Sequence, residues 1–259
     1  MNRKYELTTE TRSFDGRILH RIKRIEDELI GGWIESENNL SQEGDCFVYD
    51  NAMVYGDGQV YGDAVVYNDA RVSGDARIYG NAEVCGNAEV YGNAKVYGNA
   101  EVYDYAEVYD YATVYDYAEV YDDATVYGYA KVYDDARVSG DARIYGNAKV
   151  YGNSRVFGEA MVCGEAKVCG KAEISDENII GQITTGYKDI FQHQCKRRVL
   201  TAILTENDEI LYSIGCQNNI TKEVFLDRIY NEGGGLEENP HRKEYLKLIP
   251  LIESYFGVK

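Results

Sequence analysis

From Val48 to Ile174 an aliphatic residue returns at every sixth position without a gap: Val48, Val54, Val60, Val66, Val72, Ile78 and onward through Val168 to Ile174. Four residues after each stands a small one, nearly always alanine (Ala52, Ala64, Ala70), with Gly58 and Ser154 as variants. The small residue and the next aliphatic one are two apart, as in Ala52 and Val54, so in an extended chain both face the same side. That side is the predicted core. Gly, Asn and Asp fill the places between, as in Gly80-Asn81 and Gly74-Asp75, and these residues turn a chain through positive φ at low cost. Each hexamer therefore predicts a short strand and a corner. A strand this short cannot bury its apolar residue alone, so the corners must coil the chain until each coil covers the one below. Three strands per coil predict an all-β solenoid, a three-sided parallel β-helix of about seven regular coils and about 33 Å in height. Burying each Val or Ile contributes about 1.5–3 kcal/mol, enough in sum for a core that folds against its ordering entropy.

The pattern changes at both ends. Residues 1–47 predict a small β cap: a hairpin around Phe14-Asp15-Gly16, with Ile18, Leu19, Ile22 and Ile25 after the turn, and Trp33 and Ile34 laid over the open end of the core. Leu40 follows Ile34 by six residues and Val48 comes eight later, so the first coil closes through a longer corner at Gln42 to Asp45. The solenoid proper is assigned to residues 48–180, because the period carries to Ile180 and then fails. Residues 181–259 predict an α+β end. It comprises a hairpin around Glu206-Asn207-Asp208 and a helix capped by Thr221 that runs to Tyr230 ahead of Gly233-Gly234-Gly235. A second helix starts at Asn239-Pro240, with Tyr245, Ile249, Ile252 and Phe256 on one side and a kink or early stop expected at Pro250.

The hexamer pattern resembles the hexapeptide repeat of left-handed parallel β-helices, which are triangular in section. GGWIESENNLSQEGDCFVYDNA at positions 31–52, running into YGDGQVYGDAVV, is similar to the lead-in of the YdcK-like group of hexapeptide-repeat proteins. The resemblance implies the left hand of the coil. For function it implies an acyltransferase label inherited from the fold, in which a His base acts on an acyl-carrier thioester, and a phage or mobile-element setting.

Charge changes the picture of possible partners. The formal net charge is −17, and between Val48 and Ile174 there are 21 acidic against 10 basic residues. Such a surface repels phosphate at long range, so direct nucleic-acid binding is not expected and a protein with a basic surface is. No apolar run has the length of a membrane span or a signal peptide, so a cytoplasmic site without membrane contact is expected. Of the six cysteines, Cys85, Cys163 and Cys169 occupy the outward position on three different sides of the coil, which predicts neither a disulfide nor a zinc cluster. Cys195 and Cys216 are expected to stay reduced. No cofactor and no metal are expected.

Candidate binding residues come from outward positions. From Val102 the corner changes from Gly-Asn to Asp-Tyr at Asp104-Tyr105, Asp110-Tyr111 and Asp116-Tyr117, with Gly128-Tyr129 one coil above Tyr111. Tyr where Asn tolerates positive φ predicts backbone strain of about 1 kcal/mol per corner, and strain of that kind marks sites; one tolerated corner copied by duplication explains the same pattern without a site. Tyr61, Tyr79, Tyr97, Tyr115, Tyr133 and Tyr151 form one column at the 18-residue period, predicted to stack as a ladder and to offer an aromatic strip for a second copy. Arg77, Lys95, Lys131, Lys149 and Lys167 form another column, interrupted by Thr113, and are expected to interleave with nearby acids. His20, His193 and His241 all lie off the repeats, so no catalytic residue is expected in the coil. Asp122-Asp123 and Asp134-Asp135 read as solvated corners. The sequence favours a non-enzymatic, rigid, acidic binding module and homo-oligomer, including an inhibitor or nucleic-acid-mimicking decoy aimed at a defence protein. The alternatives are an acyltransferase and a small-ligand sponge.

Overall fold

The computed structural model describes residues 3–164, 166–175, 179–181, 186–194, 199–205, 208–214 and 217–257. Along the repeats each hexamer is a short strand, two residues long except at Met161–Cys163, and a turn, and each strand pairs in parallel with the strand eighteen residues on, as Glu83 with Glu101 and Val84 with Val102. Among the described residues the strands fall into three sheets, one per side of the coil. Amides of one coil donate to carbonyls of the next, for example Tyr97 N–H to Val114 O at 3.0 Å and Glu107 N–H to Ala124 O at 2.9 Å. The aliphatic and alanine positions line a single continuous core, fully buried from Val48 and Ala52 to Ala172 and Ile174. Ser154, the one polar substitute, is buried too and satisfies its hydroxyl by donating to Tyr151 O at 2.8 Å.

The coil has about eight turns, one more than the regular repeat, because the sheets continue past it at both ends. At the start, β1 (Tyr5–Phe14) and β2 (Arg17–Arg24) form the expected hairpin, turning through Asp15 at φ 48° and Gly16 at φ 72°. β3 (Ile30–Ile34) pairs antiparallel with β2 and parallel with Met53–Val54, so hairpin and coil share one sheet. Ile34 enters the core, but Trp33 does not cover it. Neighbours on a strand face opposite ways, and Trp33 packs on the outside with Leu19 and Met53 while Tyr5 and Ile22 join the core at that end. The tyrosine hydroxyl of Tyr5 donates to Leu40 O at 2.7 Å. Gly31 and Gly32 are required here: a Cβ on Gly31 would stand 2.6 Å from Val48 O, and one on Gly32 2.6 Å from Ala52 O. Buried Asn39 secures the irregular first coil, donating to Gly56 O and Gly58 O at 2.9 Å each.

At the other end Ile180 keeps the period opposite Val162. The hairpin Val199–Thr205 with Ile210–Ile214 is present, flanked by two strands the hexamer reading did not contain, Gly186–Gln194 and Gln217–Ile220. Gly186–Gln194 continues a sheet of the coil beside Lys167–Val168. Cys195, Cys216 and Glu206-Asn207 lie outside the described residues. α1 (Lys222–Tyr230) is capped by Thr221 and ends just before the glycines, and α2 (Gly235–Glu238) is a short helix not anticipated. α3 (Lys243–Phe256) runs past Pro250, so of the kink or early stop expected there the stop does not occur. Proline removes one hydrogen bond, whereas Tyr245, Leu248, Ile249 and Ile252 anchor the helix on both sides of it in the second core, with Phe225 and Tyr212.

Candidate functional site

With core positions occupied by Val, Ile and Ala, chemistry is left to the outward residues, and the 18-residue register sorts these into rows. One side carries Phe47, Val65, Glu83, Glu101, Glu119, Arg137, Arg155 and Glu173 in consecutive register, and is called the glutamate face. A second carries Gln59, Arg77, Lys95, Thr113, Lys131, Lys149 and Lys167, the lysine face. The third carries Met53, Arg71, Glu89, Glu107, Thr125, Arg143 and Met161, the mixed face. On the mixed face Arg71 pairs with Glu89 at 2.6 Å, while Glu89 and Glu107 stand side by side.

Tyrosines run beside these rows as stacked columns. On the lysine face Tyr61, Tyr79, Tyr97, Tyr115, Tyr133 and Tyr151 follow one another at 4.7–5.0 Å with rings within 8° of parallel, the ladder expected from the period. Partial burial, then the neighbouring phenols, push the Tyr115 hydroxyl up to about 12. On the glutamate face the Tyr67 hydroxyl donates to Glu83 at 3.1 Å and that of Tyr103 to Glu119 at 3.4 Å. Glu101 stands between Glu83 and Glu119, and its carboxyl is raised by partial burial first and by those two charges second.

The family description "YdcK Beta solenoid repeat" matches residues 47–62, 58–74, 70–86 and 142–164. The hexamers of those stretches match the YdcK beta solenoid repeat. No curated protein matches the chain. The matched stretches lie on either side of the Asp-Tyr corners, which supply most of the candidate residues.

Those corners are built differently from the expectation. The left-handed residue is the aspartate, with φ of 60°, 58° and 61° at Asp104, Asp110 and Asp116, while the tyrosines that follow are not in that region. The predicted tyrosine strain is therefore absent. Aspartate tolerates the left-handed region because its short carboxylate bonds locally, here to the next coil: Gly128 N–H donates to Asp110 at 3.3 Å, Gly140 N–H to Asp122 at 3.0 Å and Gly152 N–H to Asp134 at 3.1 Å. The second corner position accepts any side chain that stands in solvent, and Tyr105, Tyr111, Tyr117 and Tyr129 are 53–63% exposed.

The ten candidate residues also do not form one surface. Asp104-Tyr105 lies on the edge between glutamate and mixed faces, Asp110-Tyr111 and Tyr129 between mixed and lysine faces, and Asp116-Tyr117 between lysine and glutamate faces. Only Tyr111 and Tyr129 stack, at 5.0 Å. Tyr97, Tyr115 and Tyr133 share the ladder and flank the lysine row. Cys85, Cys163 and Cys169 occupy three separate sides of the coil. His20 lies on β2, and His241 stands 6.3 Å from Tyr245 between ring centres, both away from the hexamers; the His193 side chain lies outside the described residues. The glutamate row, three carboxylates on adjacent strands, escaped sequence reading although the 18-residue column that exposed the lysines contains it.

Proposed function

We propose that this solenoid is a rigid, non-enzymatic binding module whose glutamate face engages a basic surface of a protein partner. The observation that carries the reading is the row Glu83, Glu101, Glu119, three carboxylates on adjacent strands with no cation between them. Like charges set directly opposite destabilise a sheet, and in this row Arg137 pairs with Glu119 at 3.0 Å while Glu83 and Glu101 have no ion pair among the described residues. A partner that supplies the cations removes the repulsion. Asp104, Asp122 and Asp123 extend the acidic strip along the adjoining corner, and a β-scaffold holds these groups without the ordering cost of loops. A straight row of carboxylates at strand spacing, about 4.8 Å, does not follow phosphates that rise about 3.4 Å per step along the helix axis while winding around it, so a basic protein surface fits better than the decoy form of this reading. No helix among the described residues is long and apolar enough to cross a membrane, and the free thiols suit a cytoplasmic setting. The test is affinity capture followed by titration of the captured protein. Glu83→Gln, Glu101→Gln and Glu119→Gln together are expected to weaken binding by tenfold or more, 1.4 kcal/mol. Unchanged affinity would refute the reading.

A further inference from the structure

An acidic binding module has no evident use for a row of cations, yet Arg77, Lys95, Lys131, Lys149 and Lys167 stand in register with only Thr113 among them. None of the five forms an ion pair among the described residues. The interleaving with acids expected from the sequence is found on the other sides, at Arg71 with Glu89 and at Arg137 with Glu119, not here. The neighbouring ladder restricts what can land on this face. Tyr97, Tyr115 and Tyr133 stack on one another, so their ring faces are closed to a planar base and only edges and hydroxyls point outward. A duplex strand, whose phosphates rise about 3.4 Å per step while winding around the axis, falls out of step with a straight row of cations at strand spacing, about 4.8 Å.

The surface that has the same repeat and the opposite sign is the glutamate face. We propose that the lysine face of one copy docks on the glutamate face of a second copy, axes parallel and offset so that Lys131, Lys149 and Lys167 meet the second copy's Glu83, Glu101 and Glu119. This rests on the reading of the glutamate face as a protein-binding surface, and it names the basic partner. In that alignment Thr113 faces Val65 and Lys95 faces Phe47, and no like charges oppose each other in the rows. Reversing one axis with the same three pairs would set Arg155 against Lys95. Each contact uses one face of each sort and leaves the other open, so it is heterologous and assembly continues beyond a dimer. The individual pairs are solvent-exposed and weak, so assembly is expected to grow with concentration.

Sedimentation velocity on the full chain tests this. The wild type is expected to form species larger than a dimer as concentration rises. The triple reversal Lys131→Glu, Lys149→Glu, Lys167→Glu, and separately Glu83→Lys, Glu101→Lys, Glu119→Lys, should each raise the concentration needed at least tenfold. Mixing the two variants should restore assembly, and so should combining all six substitutions in one chain, which misfolded variants would not do. A wild type monomeric throughout, or assembly indifferent to either reversal, overturns the proposal. If the wild type is monomeric while the glutamine variants still lose a different captured protein, self-docking fails and the binding reading stands. If neither self-association nor capture responds to the glutamate substitutions, both fail.

Discussion

Asp134 offers a quantitative test of how the corners hold their shape. It has φ 59° and its carboxylate accepts from Gly152 N–H at 3.1 Å, one coil on. Asp134→Asn keeps both the tolerance of left-handed backbone and an acceptor, and should cost under about 1 kcal/mol. Asp134→Gly loses the acceptor, a charge-assisted bond of about 1.5–3 kcal/mol, reduced here by partial exposure. It also adds about 0.5–1 kcal/mol of glycine chain entropy while relieving a left-handed cost of about 1 kcal/mol. The two backbone contributions nearly cancel, so the net loss is about 1–2 kcal/mol. Asp134→Ala loses the same bond and keeps a Cβ in the left-handed region without the local polar compensation that aspartate has there, adding up to about 1 kcal/mol, for a total of about 1–3 kcal/mol. Denaturant unfolding of the four proteins should therefore rank them Asp, Asn, Gly, Ala in falling stability, provided their transitions have a common slope. An alanine variant as stable as the wild type would show that the neighbouring coils impose the corner and that the side chain contributes nothing.

Two further outcomes follow from the rows. Glu101 has a raised carboxyl, so the fold favours its protonated form, and its contribution is present at acid pH and lost as pH rises through its folded value; Glu101→Gln should stabilise by about 0.2–1 kcal/mol at pH 7, with the gain fading towards pH 4 in denaturation midpoints. Burial holds the ladder phenols neutral, with Tyr115 at about 12 against a reference of 10.0, so the ladder's share of stability is intact below about pH 10 and lost between there and about pH 12; tyrosinate absorbance and circular dichroism should change together in that window, and early titration of the ladder without loss of structure would contradict the burial argument.

The solenoid was legible because one period specifies it several times over. Val84, Ala88 and Val90 each repeat the same burial decision, and an error at one hexamer is corrected by its neighbours. The tyrosine ladder followed from the same arithmetic. What failed were readings that needed finer geometry than a period contains. Which of the two corner residues is left-handed depends on where the turn sits relative to the strand, and the abundance of Asn in the second place suggested the wrong one; the first place, occupied by Gly almost everywhere else, held the better signal. Trp33 was misplaced because β3 obeys a two-residue alternation that sends it opposite to Ile34. Pro250 was read from local propensity, which the packing of α3 overrides. The strands Gly186–Gln194 and Gln217–Ile220 lack the hexamer, so nothing periodic announced them.

The same regularity explains why function is harder to read than fold, and where it can nonetheless be found. Core positions are so constrained that they say nothing beyond the coil, whereas an outward residue can be exchanged without disturbing its strand. Local electrostatics then favours alternation of charge along a row, since each residue lies at strand spacing from the next. Arg71 with Glu89 on the mixed face and Arg137 with Glu119 at the end of the glutamate row follow that preference. The glutamate and lysine faces otherwise depart from it in opposite senses, gathering Glu83, Glu101 and Glu119 on one and Lys131, Lys149 and Lys167 on the other. Neither segregation is demanded by folding, and each carries a repulsive cost while the face stands open to water. Rows of opposite sign and identical repeat on two sides of one rod remove both costs when the sides meet, which is why segregation of charge, more than its net value of −17, is the feature that points to a partner.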